Sequence, residues 1–318
     1  MSLVLINHEL SSAHQISQLT GPLGYDLHCH QLDVGPMNGY LRTVICGNQL
    51  FLFLCSDKPI AIYGSRLTEY AAFGTFLFQE NSSGHCHAHG HVARPNWCSG
   101  FSPHISDTFV LVAPYVPLLV GYVAQADIRN AATNWHEAEV LHKITTKEFA
   151  FFHPEAYERM IRATIYRLFN PSPDPDLSLS EQYILMMYDM FNQLSTEKKL
   201  EQTFKRFDLI KDFFRYGIEK QHEPVKIADV ADALYTSNTT LIKGCYEIFG
   251  CKPMDVLKNI RLEQAHAVMS SKDLQQQLSL TKVINIAKYY GFESRPHFAK
   301  SYQAMYGMTP VESLSNSR

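Results

Sequence analysis

The chain of 318 residues is long enough for about two domains. Its composition, with 46% hydrophobic and 19% charged residues, excludes a disordered protein and favours buried cores. The formal net charge is −3, but the residues from Gln221 to the end carry 11 Lys and Arg against 9 Asp and Glu. A slightly basic tail on an acidic body is compatible with nucleic-acid binding but does not establish it.

The N-terminal segment has no basic region ahead of a long apolar run, so it does not read as a secretory signal. No run of about 18 apolar residues predicts a membrane span. Seven cysteines, an odd number in a chain without a signal, indicate reduced thiols rather than a disulfide framework. The sequence therefore predicts a cytoplasmic protein with no membrane partner.

Residues 1–220 are predicted to form one domain, and the fold class of the whole chain is α+β. Strand signals dominate from about residue 20 to 142, where short apolar runs alternate with turn-prone segments, as in a β-barrel or sandwich. Residues 145–220 read as helical, because apolar residues in segments such as "LSEQYILMMYDMFNQL" recur at i, i+3, i+4 and i+7. The proline-rich stretch 170–178 separates two of these helices. The segment "QHEPV" is the expected boundary with a second domain at 221–318.

The stretch "GHCHAHGH", Gly84 to His91, alternates histidine with other residues. In one strand, all four imidazoles would lie on one face, about 6.5–7 Å apart along it. Histidine and cysteine suit zinc, nickel or copper, so a transition-metal site is one interpretation, and a hairpin loop with solvated histidines is the other. The candidate metal ligands are His85, His87, His89 and His91. A metalloenzyme is disfavoured because no glutamate follows the cluster before Glu137.

The chain from Val225 onward has helical periodicity and clear helix boundaries. Ser237 is placed to cap a helix through "NTTLIKGCYEIF", because its hydroxyl can accept a bond from a free backbone amide. Gly250 is expected to end that helix in a left-handed conformation. Pro253 suits the first turn of the next helix, which spans about 17 residues, or roughly 25 Å.

The segments "LIKGCYEIFGCKP" and "FAKSYQAMYGMTP" share a skeleton of apolar, lysine, glycine and proline positions, 57 residues apart. The second unit begins at Val283, turns at Gly291, has a capping residue at Ser294 and ends its second helix at Gly307. Each repeat is predicted to be a helix, a tight turn and a second helix, which is a helix-turn-helix unit. Two such units on a rigid spacer would suit successive major grooves, which lie about 34 Å apart. A helical bundle with a chance repeat is the alternative.

The last ~95 residues resemble the DNA-binding domain of the AraC/XylS family of transcription regulators. The resemblance is carried by "IADVADALYTSNTTLIKGCYEIFGCKP", by "IRLEQAHAVM" in the linker helix and by "VINIAKYYGFESRPHFAKSYQAMYGMTP". More weakly, "HQLDVGPMNGYL" is similar to the start of the family's cupin-like sensor domain, which binds an effector or dimerises. The resemblance implies a DNA-binding transcription regulator and not an enzyme. The alternative function is a metal-binding, histidine-rich cupin sensor or a metalloenzyme with an appended helical domain.

The resemblance also implies which residues contact DNA. In the first unit these are Ser237, Asn238, Thr239, Thr240, Ile242 and Lys243. In the second unit they are Arg295, Pro296, His297, Ala299, Lys300 and Gln303. Lysine replaces the usual arginine at both Lys243 and Lys300, which removes a planar fork and keeps a point charge. Both lysines could equally be solvated surface charges.

The implied partners are double-stranded promoter or operator DNA, RNA polymerase for an activator, and a second copy of the chain. A small-molecule or protein effector is also implied. The helices between Pro154 and Lys220 are expected to form the dimer interface, although their apolar faces could equally be core. The effector pocket is expected in the β-rich half, lined by residues that could also be plain core: Phe51, Phe53, Tyr63 and Phe78.

Overall fold

The fold is taken from a computed structural model. It describes residues 4–46, 49–78, 85–100, 105, 107–136, 138–146, 149–170, 184–185, 188–189, 191–192, 205–223 and 225–316. The fold class is α+β, as the sequence predicts. Two β-sheets occupy the N-terminal part, and the described residues from 227 onward form helices and the turns between them.

Two antiparallel sheets face each other in the N-terminal part. The described strands are β1 (Val4–Leu10), β2 (Asp26–Gln31), β3 (Gly39–Cys46), β4 (Gln49–Ser56), β5 (Ile60–Ser65), β6 (Tyr70–Phe76), β7 (His87–Ala88), β8 (His91–Val92), β9 (Trp97–Ser99), β10 (Asp107–Val112), β11 (Leu118–Ala124) and β12 (Phe149–Phe151). The seven-stranded sheet has the order β1-β3-β4-β11-β6-β9-β12, and the five-stranded sheet has the order β2-β5-β10-β7-β8. Neither sheet closes on itself, so the described strands form a sandwich rather than a closed barrel.

Strand β4 of the seven-stranded sheet is buried on both faces. Leu52 and Leu54 of β4 point between the two sheets and pack with Ile62 of β5. Phe51 and Phe53, one residue out of phase, lie on the opposite face and pack against the helices that follow β11. This alternation follows from the period of two along a strand.

The helices described in the N-terminal part are α1 (His14–Thr20), α2 (Gln125–Trp135), α3 (Ala138–Thr146), α4 (Pro154–Phe169) and α5 (Phe207–Glu219). The run of successive strands therefore ends at Ala124 and not at about residue 142, and the short strand β12 lies within the stretch 145–220 that was predicted to be helical. The missed signal is the helical spacing of Ile128, Ala131 and Ala132, the buried residues of α2. That signal is weak because alanine contributes little apolar contrast.

The predicted helix across 179–194 lies largely outside the described residues, as does the proline-rich stretch 170–178 apart from Asn170. The described residues of that helix are helical, and three of them are buried at the helical spacing i, i+4 and i+7: Ile184, Tyr188 and Phe191.

The C-terminal part is helical throughout its described residues. Its helices are α6 (Ile227–Ala233), α7 (Asn238–Phe249), α8 (Pro253–Ser270), α9 (Lys272–Gln277), α10 (Val283–Tyr289), α11 (Arg295–Tyr306) and α12 (Pro310–Asn316). The predicted helix-turn-helix units are confirmed as α6–α7 and α10–α11, with α8 between them. Nowhere in the described chain is there a helix with both the length and the apolar character of a membrane span.

The two units are packed in different ways. α6, α7 and the first half of α8 share one core with α5 and with Phe109 and Leu111 of β10. The second half of α8 forms a separate core with α10, α11 and α12. Because α5 precedes residue 221, the first core runs across the predicted domain boundary.

Candidate nucleic-acid interface

Both helix-turn-helix units turn through a left-handed residue after their first helix. This residue is Tyr235 in the first unit, with φ 51°, and Gly291 in the second, with φ 74°. In each unit the next backbone amide, that of Thr236 or Phe292, donates over 2.9 Å to the carbonyl five residues earlier. The two turns therefore share the hydrogen-bond pattern of a Schellman motif.

A serine caps the second helix of each unit. The Oγ atom of Ser237 accepts a hydrogen bond over 3.1 Å from the amide three residues on, and Ser294 does the same over 3.5 Å. The caps satisfy amides that the first turn of a helix leaves without a partner. Gly250 and Gly307 end the two helices, both with φ 70°. All four boundary residues were predicted from the sequence.

The outward face of α7 carries the residues predicted to contact DNA. Its inward face is formed by Leu241, Gly244, Cys245 and Ile248, which are buried. The exposed predicted residues are Ser237, Asn238, Thr239, Ile242 and Lys243, and Thr240 is half-buried.

The outward face of α11 is arranged in the same way. Phe298, Tyr302, Met305 and Tyr306 form its buried side. The exposed predicted residues are Arg295, Pro296, His297, Lys300 and Gln303, and Ala299 is half-buried. The second helix of each unit, α7 or α11, therefore exposes the face that carries its predicted DNA-contact residues.

Exposed positive charge is concentrated on the second unit. Lys288, Arg295 and Lys300 are all exposed there. In the first unit, Lys243 is exposed on α7, whereas Glu247 on the same helix pairs with Arg206 at the start of α5. The second unit is therefore the better match to a phosphate backbone.

The helix α8 joins the two units and also contacts the N-terminal part. It spans 18 residues, which corresponds to about 27 Å. Asn259 Nδ2 donates over 2.9 Å to the carbonyl oxygen of Leu32, just after β2. The position of α8 is thus fixed against the sandwich as well as within the helical domain.

Glu263 of α8 is fully buried against the N-terminal part. Its carboxylate faces the backbone amides of Ala13, His14 and Gln31 and the hydroxyl of Tyr306. None of these contacts has the distance and angle of a complete hydrogen bond. Burial raises the pKa of this carboxyl to about 7 because a charged form without full solvation is disfavoured.

Residues 230–315 match the family model described as a helix-turn-helix domain. Two helix-turn-helix units joined by one long helix define a DNA-binding protein of the helix-turn-helix class. The chain carries the double helix-turn-helix domain of the AraC/XylS transcription regulators, and the resemblance seen in the sequence is confirmed.

Solved structures that are similar to the chain are regulators as well. A probable AraC family transcriptional regulator from Rhodopseudomonas palustris CGA009 is 26% identical, over 35% of this chain and 98% of that chain, with a TM-score of 0.32. The AraC-like transcriptional activator CuxR is 12% identical, over 83% and 96%, with a TM-score of 0.41. ToxT from Vibrio cholerae O395 is 11% identical, over 99% and 97%, with a TM-score of 0.31. Because these TM-scores lie below 0.5, the assignment of the C-terminal domain depends on the match of residues 230–315 to the helix-turn-helix family model.

An apolar cavity lies between the two sheets. It has a volume of about 70 Å³, opens to solvent at its mouth, and has a mostly aliphatic wall. The polar side chains on the wall are Arg66, His89, Ser99, Thr108 and Tyr122. Burial lowers the pKa of His89 to about 3, with the nearby positive charge of Arg66 as a further cause, so this imidazole is neutral at pH 7.

The predicted lining of the pocket is wrong, although a pocket does lie in the β-rich half. Phe51 and Phe53 face the helices on the outside of the sheet, and the cavity is lined by their neighbours Leu52 and Leu54. Tyr63 packs towards α5 and does not line the cavity. A shift of one residue along a strand exchanges its two faces, and Phe51, Phe53 and Tyr63 were placed on the wrong one. Phe78 packs with the core between the sheets but does not line the cavity.

The histidine cluster forms a tight hairpin and not a single strand. Its two-residue turn is His89–Gly90, with φ 50° and 86°, the left-handed pair of a type I′ turn. His87 pairs with Val92 and His91 pairs with Ala88, so these two histidines lie on opposite faces. His85 is exposed and lies ahead of the hairpin.

The expected arrangement of His85, His87, His89 and His91 on one face of a single strand is therefore wrong, because the chain reverses in the middle of the alternating pattern. Among the described residues, no group of three or more His, Cys, Asp or Glu side chains could hold a metal ion. The tip of the hairpin instead packs on α5, since a Cβ atom at Gly90 would lie 2.8 Å from the ring of Phe207.

Tyr246 is a surface residue that the sequence-based assignment passed over. It lies one helical turn beyond Ile242 and Lys243 on the outward face of α7, and it is 47% exposed. The 57-residue repeat of the two units could have identified Tyr246 from the sequence. Gln303 was assigned to the interface in the second unit, and Tyr246 is its counterpart 57 residues earlier.

Proposed function

We propose that the chain is a sequence-specific transcription regulator that places α7 and α11 in successive major grooves of one DNA duplex. The observation that carries this proposal is that two units of the same design expose the same helix face. A spacer of about 27 Å between them is of the right order for grooves about 34 Å apart.

The proposed contacts follow from the chemistry of the exposed residues. Arg295 and Lys300 can donate to guanine O6 and N7 or to phosphate oxygens. Thr239 and Thr240 can donate to phosphate or contact a thymine methyl group. Lys243 supplies a single point charge to the first unit.

The proposed regulator responds to an effector in the cavity between the sheets. Its aliphatic wall and its donors, Arg66 and Tyr122, suit a small molecule with an apolar body and a hydrogen-bond acceptor. Ile16 of α1 lines this cavity, and the amides at the start of α1 face Glu263 of α8. An effector that moves α1 would therefore act on the helix that joins the two DNA-binding units.

Thermal denaturation of the full chain with a set of small amphipathic acids tests this effector class. A ligand that binds the folded chain stabilises it, by an amount that grows with the logarithm of the ratio of ligand concentration to Kd. A set in which no compound raises the Tm would contradict the proposal.

We also propose that two copies of the chain bind one operator, as an avidity argument favours when each domain binds modestly. Support comes from three large side chains that are exposed in α4 and in the helical residues described after it: Tyr166, Phe169 and Leu185. An activator of this kind would also contact RNA polymerase.

Selection of duplexes from a random library by the full-length chain, followed by titration of a selected duplex at several salt concentrations, tests the DNA-binding proposal. We expect affinity to fall steeply with salt. Lys300→Ala should weaken binding and reduce the slope of log K against log salt by about 1. The same titration gives the number of chains bound per duplex, and we expect two.

The matched control is Lys272→Ala, which removes an exposed lysine of α9, outside both units. This variant should keep the salt dependence of the unmodified chain. Selection that returns no common sequence would overturn the proposed function, and one chain per duplex would overturn the dimer.

A further inference from the structure

The two recognition helices present different side chains at corresponding positions of their outward faces. The positions are related by 57 residues, and the outward stripe of each helix runs along i, i+3, i+4 and i+7. In α7 the stripe is Thr239, Ile242, Lys243 and Tyr246. In α11 it is Pro296, Ala299, Lys300 and Gln303. Only the lysine is common to both.

The stripe of α7 contains large apolar side chains that face solvent. Ile242 is 37% exposed and Tyr246 is 47% exposed. Neither belongs to the buried side of α7, which packs on α5 and α8 through residues such as Leu241 and Ile248. The apolar surface of these two side chains is therefore available to a ligand of α7.

The stripe of α11 is suited to hydrogen bonding. Gln303 is exposed and carries an amide that can pair with adenine N6 and N7 in a bidentate manner. Arg295 at the start of the same helix is exposed and can donate to guanine O6 and N7. The apolar residues of this stripe, Pro296 and Ala299, are smaller than their counterparts in α7.

In the major groove, the only apolar group on a base edge is the C5-methyl group of thymine. An isoleucine flanked by a threonine methyl and a tyrosine ring forms an apolar surface that matches this group. The lysine beside it, Lys243, can reach the adjacent phosphates. Charge and apolar character on α7 thus favour a thymine-containing groove over a guanine-rich one.

We propose that the two units read DNA by different chemistry: α7 recognises thymine through apolar contact of Ile242 and Tyr246 with its methyl group, and α11 recognises purines through hydrogen bonds from Gln303 and Arg295. This inference rests on the proposed DNA-binding function. It adds two consequences, a thymine-containing sequence in the half-site read by α7 and a specificity-determining role for Tyr246.

The experiment replaces single bases in a duplex selected by the full-length chain. Each thymine is replaced in turn by uracil, which lacks the methyl group, and each purine by its 7-deaza analogue, which lacks the N7 acceptor. At one or two thymines we expect uracil to weaken binding about fourfold, the equivalent of exposing one buried CH₂ group. Ile242→Ala should bind the thymine and uracil duplexes equally well. Gln303→Ala should lose discrimination only between the purines and their 7-deaza analogues.

Ile284→Ala is the matched control for Ile242→Ala. Ile284 is 52% exposed on α10, so the same atoms are removed from a helix that is not a recognition helix. This variant should keep the full preference for thymine over uracil. Because Ile242, Gln303 and Ile284 are all exposed, circular dichroism should be the same for all the variants.

The inference is overturned if uracil is tolerated at every position, or if Ile242→Ala retains the preference for thymine. It is also overturned if the sensitivity to uracil is removed by Gln303→Ala instead. These outcomes differ from failure of the proposed function, in which the full-length chain selects no duplex at all.

Discussion

Tyr235 occupies a backbone conformation that its side chain disfavours. It lies in the left-handed region with φ 51°, at the turn position that Gly291 fills in the second unit. A bulky residue there costs about 1–2 kcal/mol relative to an ordinary conformation. Its side chain is 98% exposed, so packing within the chain does not offset this cost.

We expect Tyr235→Gly to raise the free energy of unfolding by about 0.5–1 kcal/mol. Relief of the strained φ angle should exceed the entropy that glycine adds to the unfolded chain. Urea denaturation of the full-length chain measures the change. Thr236→Gly, one residue further on, is the control and should destabilise, because it adds the same entropy without relieving strain. Equal losses in both variants would contradict the explanation.

At single positions, the sequence was informative where a residue type is tied to one conformation. Gly250, Gly291 and Gly307 marked left-handed turns, and Ser237 marked a helix start, because few other residues suit those positions. Tyr235 was not foreseen, since nothing in a tyrosine signals a left-handed backbone. The histidine pattern left a strand and a hairpin open, because alternation reads the same in a strand and in a hairpin whose turn falls at its centre.

Between elements, the contact of α5 with α7 depends on a glycine inside a helix. Gly244 lies in the middle of α7, where glycine costs about 0.5–1 kcal/mol relative to alanine. A Cβ atom there would lie 2.6 Å from Cδ1 and 2.8 Å from Cγ1 of Ile210, which is fully buried in α5. Close approach of the two helices therefore outweighs the helical propensity of alanine.

Gly244→Ala should lower the free energy of unfolding by about 1–3 kcal/mol, because it overpacks the contact with Ile210. In an Ile210→Ala background, the same change should be neutral or stabilising, since the added methyl group enters vacated space. Urea denaturation of the four proteins of this double-mutant cycle measures the coupling. Additive effects would show that the two side chains do not compete for space.

The existence of the four helices of the two helix-turn-helix units and of α8 followed from the sequence, since their caps, glycines and apolar stripes are local signals, whereas α9 and α12 were not predicted. Their packing did not follow in the same way. The apolar residues of α5 predicted a helix, but nothing in their spacing indicates whether the partner is the β-sandwich or α7. The structure shows that the partner is both, because Phe214 packs near Phe109 of β10 and Phe249 of α7.

At the scale of the whole molecule, Glu263 is a fully buried titratable group of α8 that faces the N-terminal part. Its pKa is raised from 4.5 to about 7 by burial, so the folded chain holds this proton more tightly than the unfolded chain. The stabilisation from this proton is complete below about pH 4.5 and is lost as the pH rises to 7. The groups around it are His14 on α1, Cys29 on β2, His266 on α8, and Tyr302 and Tyr306 on α11.

Between pH 4.5 and 8, the unmodified chain should lose on the order of 3 kcal/mol more stability than Glu263→Gln, given 1.36 kcal/mol per pKa unit. His14 and His266 have pKa values lowered to about 4, and they act in the opposite direction. Both proteins contain these histidines, so the difference isolates Glu263. Urea denaturation at a series of pH values measures it.

Glu293→Gln, which neutralises an exposed carboxylate between α10 and α11, is the control and should follow the unmodified chain. Parallel pH profiles for the unmodified chain and Glu263→Gln would show that Glu263 does not hold its proton as described.

The core shared by α5, α7 and α8 decides how the DNA-binding domain can be studied in isolation. A fragment starting at Gln221 would contain every residue of the family match, yet it would leave Leu257 and Ile260 of α8 in water where Gly217 now covers them. Such a fragment would be prone to self-association through that bare surface. Extending the fragment back to Lys205 would restore this cover. A soluble fragment therefore has to begin about one helix before the region that the family match would suggest.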